Sequence, residues 1–231
     1  MAVEYIKRTI MLVFGLFLFA CGSFLSIHAN IGLAPWEAFS MGIFQLTGIS
    51  YGNVLVLTGV LILFIDYILK EKLGFGTLLN TVLVGKFADF ILSFEIMPMM
   101  TNFWVGLVML LLSQVIVCLG SYLYIGAAMG CGPRDALMVA LGKRFANVPI
   151  GAIRALIEGT ALLVGWLLGA KVGVGTVISV FGIGFILQYT FRILKFDVKA
   201  VVHESVVDTV KRFALRKRNP PLKRGDGGDA L

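Results

Sequence analysis

Residues 22–38 read GSFLSIHANIGLAPWEA, and residues 120–136 read GSYLYIGAAMGCGPRDA. The second stretch repeats the first at a constant offset of 98. Eight of the seventeen positions are identical: Gly22/Gly120, Ser23/Ser121, Leu25/Leu123, Ile27/Ile125, Ala29/Ala127, Gly32/Gly130, Pro35/Pro133 and Ala38/Ala136. Phe24/Tyr122, Ile31/Met129 and Glu37/Asp135 are conservative pairs. A shorter echo follows at offset 99, where LGFGT (Leu73 to Thr77) returns as VGVGT (Val172 to Thr176). An internal repeat in an apolar chain is a signature of transporter folds.

The chain is apolar enough for that comparison. It is 58% hydrophobic, with mean hydropathy +0.93, and only 14% charged. A soluble domain is about half apolar and about a quarter charged. Several apolar stretches reach the roughly 18–20 residues that cross a bilayer. The alternating pattern of an outer-membrane barrel is absent. The composition therefore predicts an all-α polytopic membrane protein.

Six spans are read at 8–30, 52–70, 74–95, 103–129, 150–169 and 174–194. The segments 35–48 and 133–148 follow the first and fourth spans. Each opens with Gly-x-x-Pro, with an acid two residues after the proline, which is a helix start. At about 1.5 Å per residue such segments are too short to cross, so they are expected to be re-entrant or interfacial half-helices. The chain then divides into repeat 1 (1–100), repeat 2 (101–195) and a basic tail (196–231).

Charge gives the orientation. With Lys7 and Arg8 inside, Lys70, Lys72, Arg134, Lys143, Arg144, Arg192, Lys195 and the tail also fall inside, as the positive-inside rule requires. Three crossings per repeat is an odd number, so the two repeats are expected to be inverted. If the half-helices crossed fully, eight spans and a parallel repeat would result, but Lys70, Lys72 and Arg134 would then lie outside.

The net charge of +7 is concentrated in the tail, where 211–224 read KRFALRKRNPPLKR. Directly after a span, this is a signal for the anionic inner leaflet rather than for nucleic acid. Residues 203–218 show helical spacing of Val206, Val207, Val210 and Phe213 opposite a charged face, which predicts an amphipathic helix on the membrane. Residues 219–231 are expected to be disordered. Lys7-Arg8, an apolar run and LFAC ending at Cys21 resemble a lipoprotein signal. Phe19 is bulky for a cleavage site and the apolar run continues past Cys21, so an uncleaved first span is the expectation. Cys21, Cys118 and Cys131 have no CxxC spacing and suggest neither a disulfide framework nor a zinc site.

The candidate site residues are the ionisable groups that the repeat or a span places in the membrane. Glu37 and Asp135 are repeat mates beside Pro35 and Pro133. They either cap their helices at the membrane surface or converge on a shared solute site with Arg134 and Trp36, the residues that follow the two prolines. Within spans, Lys86 and Asp89 are spaced i, i+3, and Arg154 and Glu158 i, i+4. Each pair either neutralises itself along one helix face or lines and couples a polar path. Asp66 is expected to snorkel or to pair with Lys70. His28 has no carboxylate at metal spacing and is expected to be packed. Gln114, Ser113 and Gln188 are candidates to line a path or bond between helices. The two GxGT motifs lack the Lys-Ser/Thr and the strand of a phosphate loop. No catalytic triad, zinc motif, dinucleotide fingerprint or haem signature is present, so neither an enzyme nor a cofactor is expected.

The ordered pattern Gly32, Pro35, Trp36, Glu37, then Gly52, then Gly74, Gly76, Thr77 and Asn80, with Asp89 further along, resembles the YczE/YyaS/YitT family of bacterial integral membrane proteins, and most closely its YczE-like branch. The resemblance covers about residues 8–195 and implies a bacterial cytoplasmic-membrane location. The second half departs from the first, with Arg134 for Trp36, Ser179 for Asn80 and Gln188 for Asp89. The expected function is a small secondary transporter or exporter of a small polar or charged solute. The alternatives are a non-transporting membrane partner or regulator docked through its basic tail, and a lipid-handling protein with a polar groove open to lipid. The substrate, coupling ion and oligomeric state are left open, a homo-oligomer included.

Overall fold

The computed structural model describes residues 2–196 and Val201. The tail helix read over 203–218 and the disordered end lie outside the described residues. The helices in chain order are α1 (Ala2–Ala29), α2 (Pro35–Thr47), α3 (Tyr51–Ile68), α4 (Phe75–Leu92), α5 (Phe103–Gly126), α6 (Pro133–Arg144), α7 (Ile150–Leu167) and α8 (Val174–Ile193). Six of them, α1, α3, α4, α5, α7 and α8, are long and apolar enough to cross a membrane. The short helices α2 and α6 start at the prolines that predicted them.

The two largest differences from the sequence-read boundaries are at the start of α1 and the end of α6. The first helix begins at Ala2 rather than near residue 8, because Lys7 and Arg8 do not interrupt it. Arg8 reaches the C-terminal end of α5 instead, donating from Nε to the Ala127 carbonyl at 2.6 Å and from Nη2 to Ala128 at 2.8 Å. This satisfies carbonyls that a helix end leaves open and places a cation at its negative pole. The sixth helix stops at Arg144 rather than at 148. Val148 precedes Pro149, and a residue before proline is pushed out of the helical region.

The core is the crossing of α1 and α5, and glycine makes it close. A Cβ at Gly22 would lie 2.9 Å from the Ser113 carbonyl, and one at Gly120 2.7 Å from the Gly15 carbonyl. Gly22 and Gly120 are repeat mates, and residue 15 is the mate of residue 113, so each contact is the other with the halves exchanged. Around the crossing, Leu12, Leu16, Ala20, Leu110 and Cys118 are fully buried. Small residues at such a crossing let backbones approach and gain packing, which is the main attraction between helices in lipid.

The loops repeat the same exchange. Asn30 and Ala128 end α1 and α5 with φ of 57° and 55°, and Gly32 and Gly130 follow with φ of 131° and 127°. Gly32 sits against Gly173 and Thr176 at the start of α8, and Gly130 against Gly74 and Thr77 at the start of α4. The Gly175 N–H donates to the Ile31 carbonyl at 2.9 Å, and the Gly76 N–H to Met129 at 2.7 Å. The two GxGT motifs are therefore seats for the Gly-x-x-Pro loops of the opposite half. Within each motif the threonine hydroxyl accepts from the first glycine N–H, at 3.3 Å in Thr77 and 3.2 Å in Thr176.

The peripheral helices break the correspondence. α3 and α4 pack directly along their length, whereas α7 and α8 make no comparable contact. At the α3–α4 seam Gly52 and Gly85 touch backbone to backbone, so that a Cβ on either would overlap the carbonyl of the other. Their mates at offset 99, Gly151 and Gly184, have no heavy atom within 4 Å of an added Cβ. Gly85→Leu is therefore expected to destabilise the protein by about 1–3 kcal/mol or more through overpacking. Gly184→Leu is expected to be tolerated within about 0.5 kcal/mol. Thermal unfolding of the two variants in detergent, followed by loss of monodisperse protein, checks the contrast.

Candidate functional site

The prolines at the first positions of α2 and α6 start both helices inside the fold, because each preceding loop turns back from the end of α1 or α5. The two N-terminal ends then face one another. The Arg134 guanidinium stacks over the Trp36 ring, 4.4 Å from its centroid. Trp36 and Arg134 are repeat mates, so the junction is made by equivalent positions carrying different chemistry.

Each neighbouring acid is held by a hydroxyl eleven residues earlier. Ser26 donates to Glu37 Oε2 at 2.7 Å, and the Ala34 N–H adds a 3.3 Å bond to the same oxygen. Tyr124 donates to Asp135 Oδ2 at 3.1 Å. Ser26 and Tyr124 are themselves repeat mates. Sequence reasoning missed both, since serine and tyrosine share only the hydroxyl. The usable signal was the common spacing from hydroxyl to acid.

These groups line a cavity of about 470 Å³ that also takes in Arg154 and Glu158 from α7 and Ser179, Ile183 and Leu187 from α8. Arg154 and Glu158 form the i, i+4 pair, with Nε to Oε1 at 2.9 Å. The amide oxygen and nitrogen of Gln114 and the hydroxyl of Ser179 are buried at the wall without a hydrogen-bond partner among the described residues. Asp135 faces the cavity and is exposed to it. Arg134 makes its stacking contact with Trp36 but no hydrogen bond or ion pair with the described residues. The site thus offers an open guanidinium beside two acids, on the positive poles of two helices.

Of the eight sequence-named site residues, Trp36, Glu37, Arg134, Asp135, Arg154 and Glu158 line this cavity, and Lys86 and Asp89 do not. The expected Lys86–Asp89 pair is replaced by contacts with α3. Lys86 donates from Nζ to Asn53 Oδ1 at 2.9 Å on the exposed surface. Asp89 accepts from the Ser50 hydroxyl at 2.6 Å and from the Gly52 N–H at 2.6 Å. The start of α3 leaves N–H donors unsatisfied, and the Asp89 carboxylate accepts from them instead of pairing with the Lys86 ammonium on its own helix. Asp89 is thus a clip across the α3–α4 seam.

The remaining candidates fall elsewhere. Asp66 neither snorkels nor meets Lys70: it is fully buried, with both carboxyl oxygens unpartnered among the described residues. His28 is packed, its Nδ1 2.9 Å from the Phe24 carbonyl and its ring against Phe24. Gln114 and Ser113 line the cavity, whereas Gln188 is not among its lining residues. Among the described residues no group of three or more His, Cys, Asp or Glu side chains is placed to hold a metal ion.

Residues 6–192 match DUF6198, a family of unknown function. The chain belongs to that family. It is 31% identical over 188 residues to an uncharacterized protein of Haemophilus influenzae, covering 81% of this chain and 85% of the relative. It is also 31% identical over 225 residues to the uncharacterized membrane protein YczE of Bacillus subtilis, covering 95% and 98%. The resemblance to the YczE-like branch therefore holds over nearly the whole chain. No solved structure matches it. Within this DUF6198 fold the clip and the surface lysine should separate on mutation. Asp89→Ala is expected to cost about 1.5–3 kcal/mol, because it strands a helix N-terminus that a charged acceptor had satisfied. Lys86→Ala is expected to leave thermal stability unchanged, and paired melting curves check the difference.

Proposed function

We propose that this membrane protein is a secondary transporter of a polar or charged solute, built from two inverted three-helix repeats and working by alternating access. The observation that carries the reading is the meeting of the α2 and α6 N-termini, Trp36 on Arg134, in a cavity lined by Glu37 and Asp135. Short helices ending at a central site, with their positive poles aimed at the solute, are the arrangement by which inverted-repeat transporters bind in the membrane. Ionisable groups in such a place are costly unless they serve a pathway.

The reciprocal contacts support the inverted repeat. A contact from residue i of one half to residue j of the other, mirrored by j to i, is what an approximate two-fold axis produces. The charge bias at the helix ends supports cytoplasmic termini and, with bacterial relatives, a cytoplasmic-membrane location. In this reading the α7–α8 side is the open face. The α3–α4 side is closed, with Asp89 as the catch that releases when access alternates.

The test is charge movement in proteoliposomes on a supported-membrane electrode, with tracer flux for electroneutral exchange. Screening amino acids, organic acids, amines and inorganic ions across a pH gradient should find a substrate-dependent signal. Glu37→Gln and Asp135→Asn are each expected to abolish it while the protein remains folded and monodisperse. Full activity in both variants would remove the central site. Silence in both assays from well-folded protein, with loss of cellular function on deletion of residues 203–231, would favour a partner or regulator docked through its tail.

A further inference from the structure

The cavity that holds the site is not closed at its side. Its walls include Arg154, Ile157 and Glu158 of α7 and Ile183, Gly184 and Leu187 of α8, yet these two helices do not pack on each other. Gly184 on one side and Gly151 on the other have empty space where their mates Gly85 and Gly52 make backbone contact. α7 packs on α2 and α6, and α8 on α5, and no described helix packs substantially on both. The outer faces beside the gap carry Leu156, Phe181, Phe185 and Tyr189, all largely exposed, as a lipid-facing surface requires. The gap therefore opens the polar site sideways, between apolar outer faces.

The chemistry changes along this passage. At the rim are Ile157, Ile183 and Leu187. At the floor are the open guanidinium of Arg134 and Asp135, whose Oδ2 takes the Tyr124 hydroxyl and whose other oxygen accepts from no described residue. An anion beside Arg134 gains charge-assisted hydrogen bonds, and an ammonium beside Asp135 gains the opposite partner. A volume of about 470 Å³ takes a headgroup and leaves an alkyl chain to run out through the gap.

We infer that the solute of this site is an amphiphile with a zwitterionic headgroup, a phosphate beside an ammonium, that enters sideways from the bilayer between α7 and α8. The inference rests on the proposed transport reading and names its substrate class.

Trp36 gives a direct readout. With Trp104→Phe and Trp166→Phe, the two largely exposed tryptophans are removed and Trp36 is the sole emitter. This variant is reconstituted in bilayers with a rising fraction of phosphatidylethanolamine brominated on the acyl carbons nearest its headgroup, since bromine quenches indole at short range. The expected result is saturable quenching of Trp36. Gly184→Phe, which fills the gap, should abolish it. Arg134→Gln should weaken the apparent affinity about tenfold by loss of the charge-assisted contacts, with Arg134→Lys intermediate. Unchanged Trp36 emission in folded protein at every lipid fraction would overturn the inference. So would quenching that neither Gly184→Phe nor an Arg134 variant alters.

Glycerophosphoethanolamine, the water-soluble headgroup, separates the two ideas. If it alters Trp36 emission and is carried across while brominated lipid does not quench, the amphiphile is wrong and transport stands. If lipid quenches through the gap but nothing crosses the membrane, the site binds lipid and the transport reading fails.

Discussion

The structure depends on the closeness of α1 and α5. In lipid there is little hydrophobic drive to bring two apolar helices together, so association rests on packing and on what polar groups can find. Gly15, Gly22 and Gly120 remove the side chains that would hold the backbones apart. With the two longest apolar helices locked as a post, the loops after them are fixed in position. Asn30, Gly32, Ala128 and Gly130 turn the chain back in left-handed backbone conformations. The short helices that follow then point their N-termini at each other rather than at the surface. The site is thus a consequence of the crossing: without it, Trp36 and Arg134 would have no reason to meet.

The two halves share this frame but differ where the peripheral helices meet. In the first half Asp89 closes the seam by accepting from Ser50 and Gly52. The corresponding positions of the second half are Gln188, Pro149 and Gly151. Proline brings no hydroxyl and glutamine no charge, so the second seam keeps only a neutral amide acceptor and the Gly151 N–H of such a clip. Arg154 and Glu158 stand where the first half has Leu55 and Gly59. Gly59 accepts the methyl group of Thr81 at close range, whereas Glu158 carries a charge that is better placed facing a polar cavity. The open side of the molecule is therefore written in its side chains as well as in its pose.

Much of this was legible in the sequence. The apolar runs and the two Gly-x-x-Pro starts gave the helices, and the repeated acids beside the prolines marked residues that do line the cavity. What was hidden has physical reasons. Lys86 and Asp89 have spacing that suits a pair on one helix, but α3 lies alongside with unsatisfied donors, a fact of tertiary packing that no local pattern carries. Ser26 and Tyr124 do the same work with dissimilar side chains, so similarity scoring passes over them. The GxGT motifs were read as helix starts, whereas their larger role is to seat the loops of the other half. The gap between α7 and α8 is an absence of contact, and apolar residues that face lipid and apolar residues that face a neighbouring helix look alike in a chain of this composition.

The reciprocal crossing also constrains how the two halves can differ. Gly22 does not face its own duplicate, Gly120; it faces Ser113 and Val117, while Gly120 faces Gly15 and Phe19. In two identical subunits one substitution would alter both contacts at once. In a single chain each contact can differ alone: Phe19 and its counterpart Val117 differ in size, while the residue opposite each is glycine. The size constraint is thus paired across the crossing rather than along the repeat. A covariation signal should link residues such as 22 with 117, and 120 with 19, more strongly than it links either glycine to its duplicate.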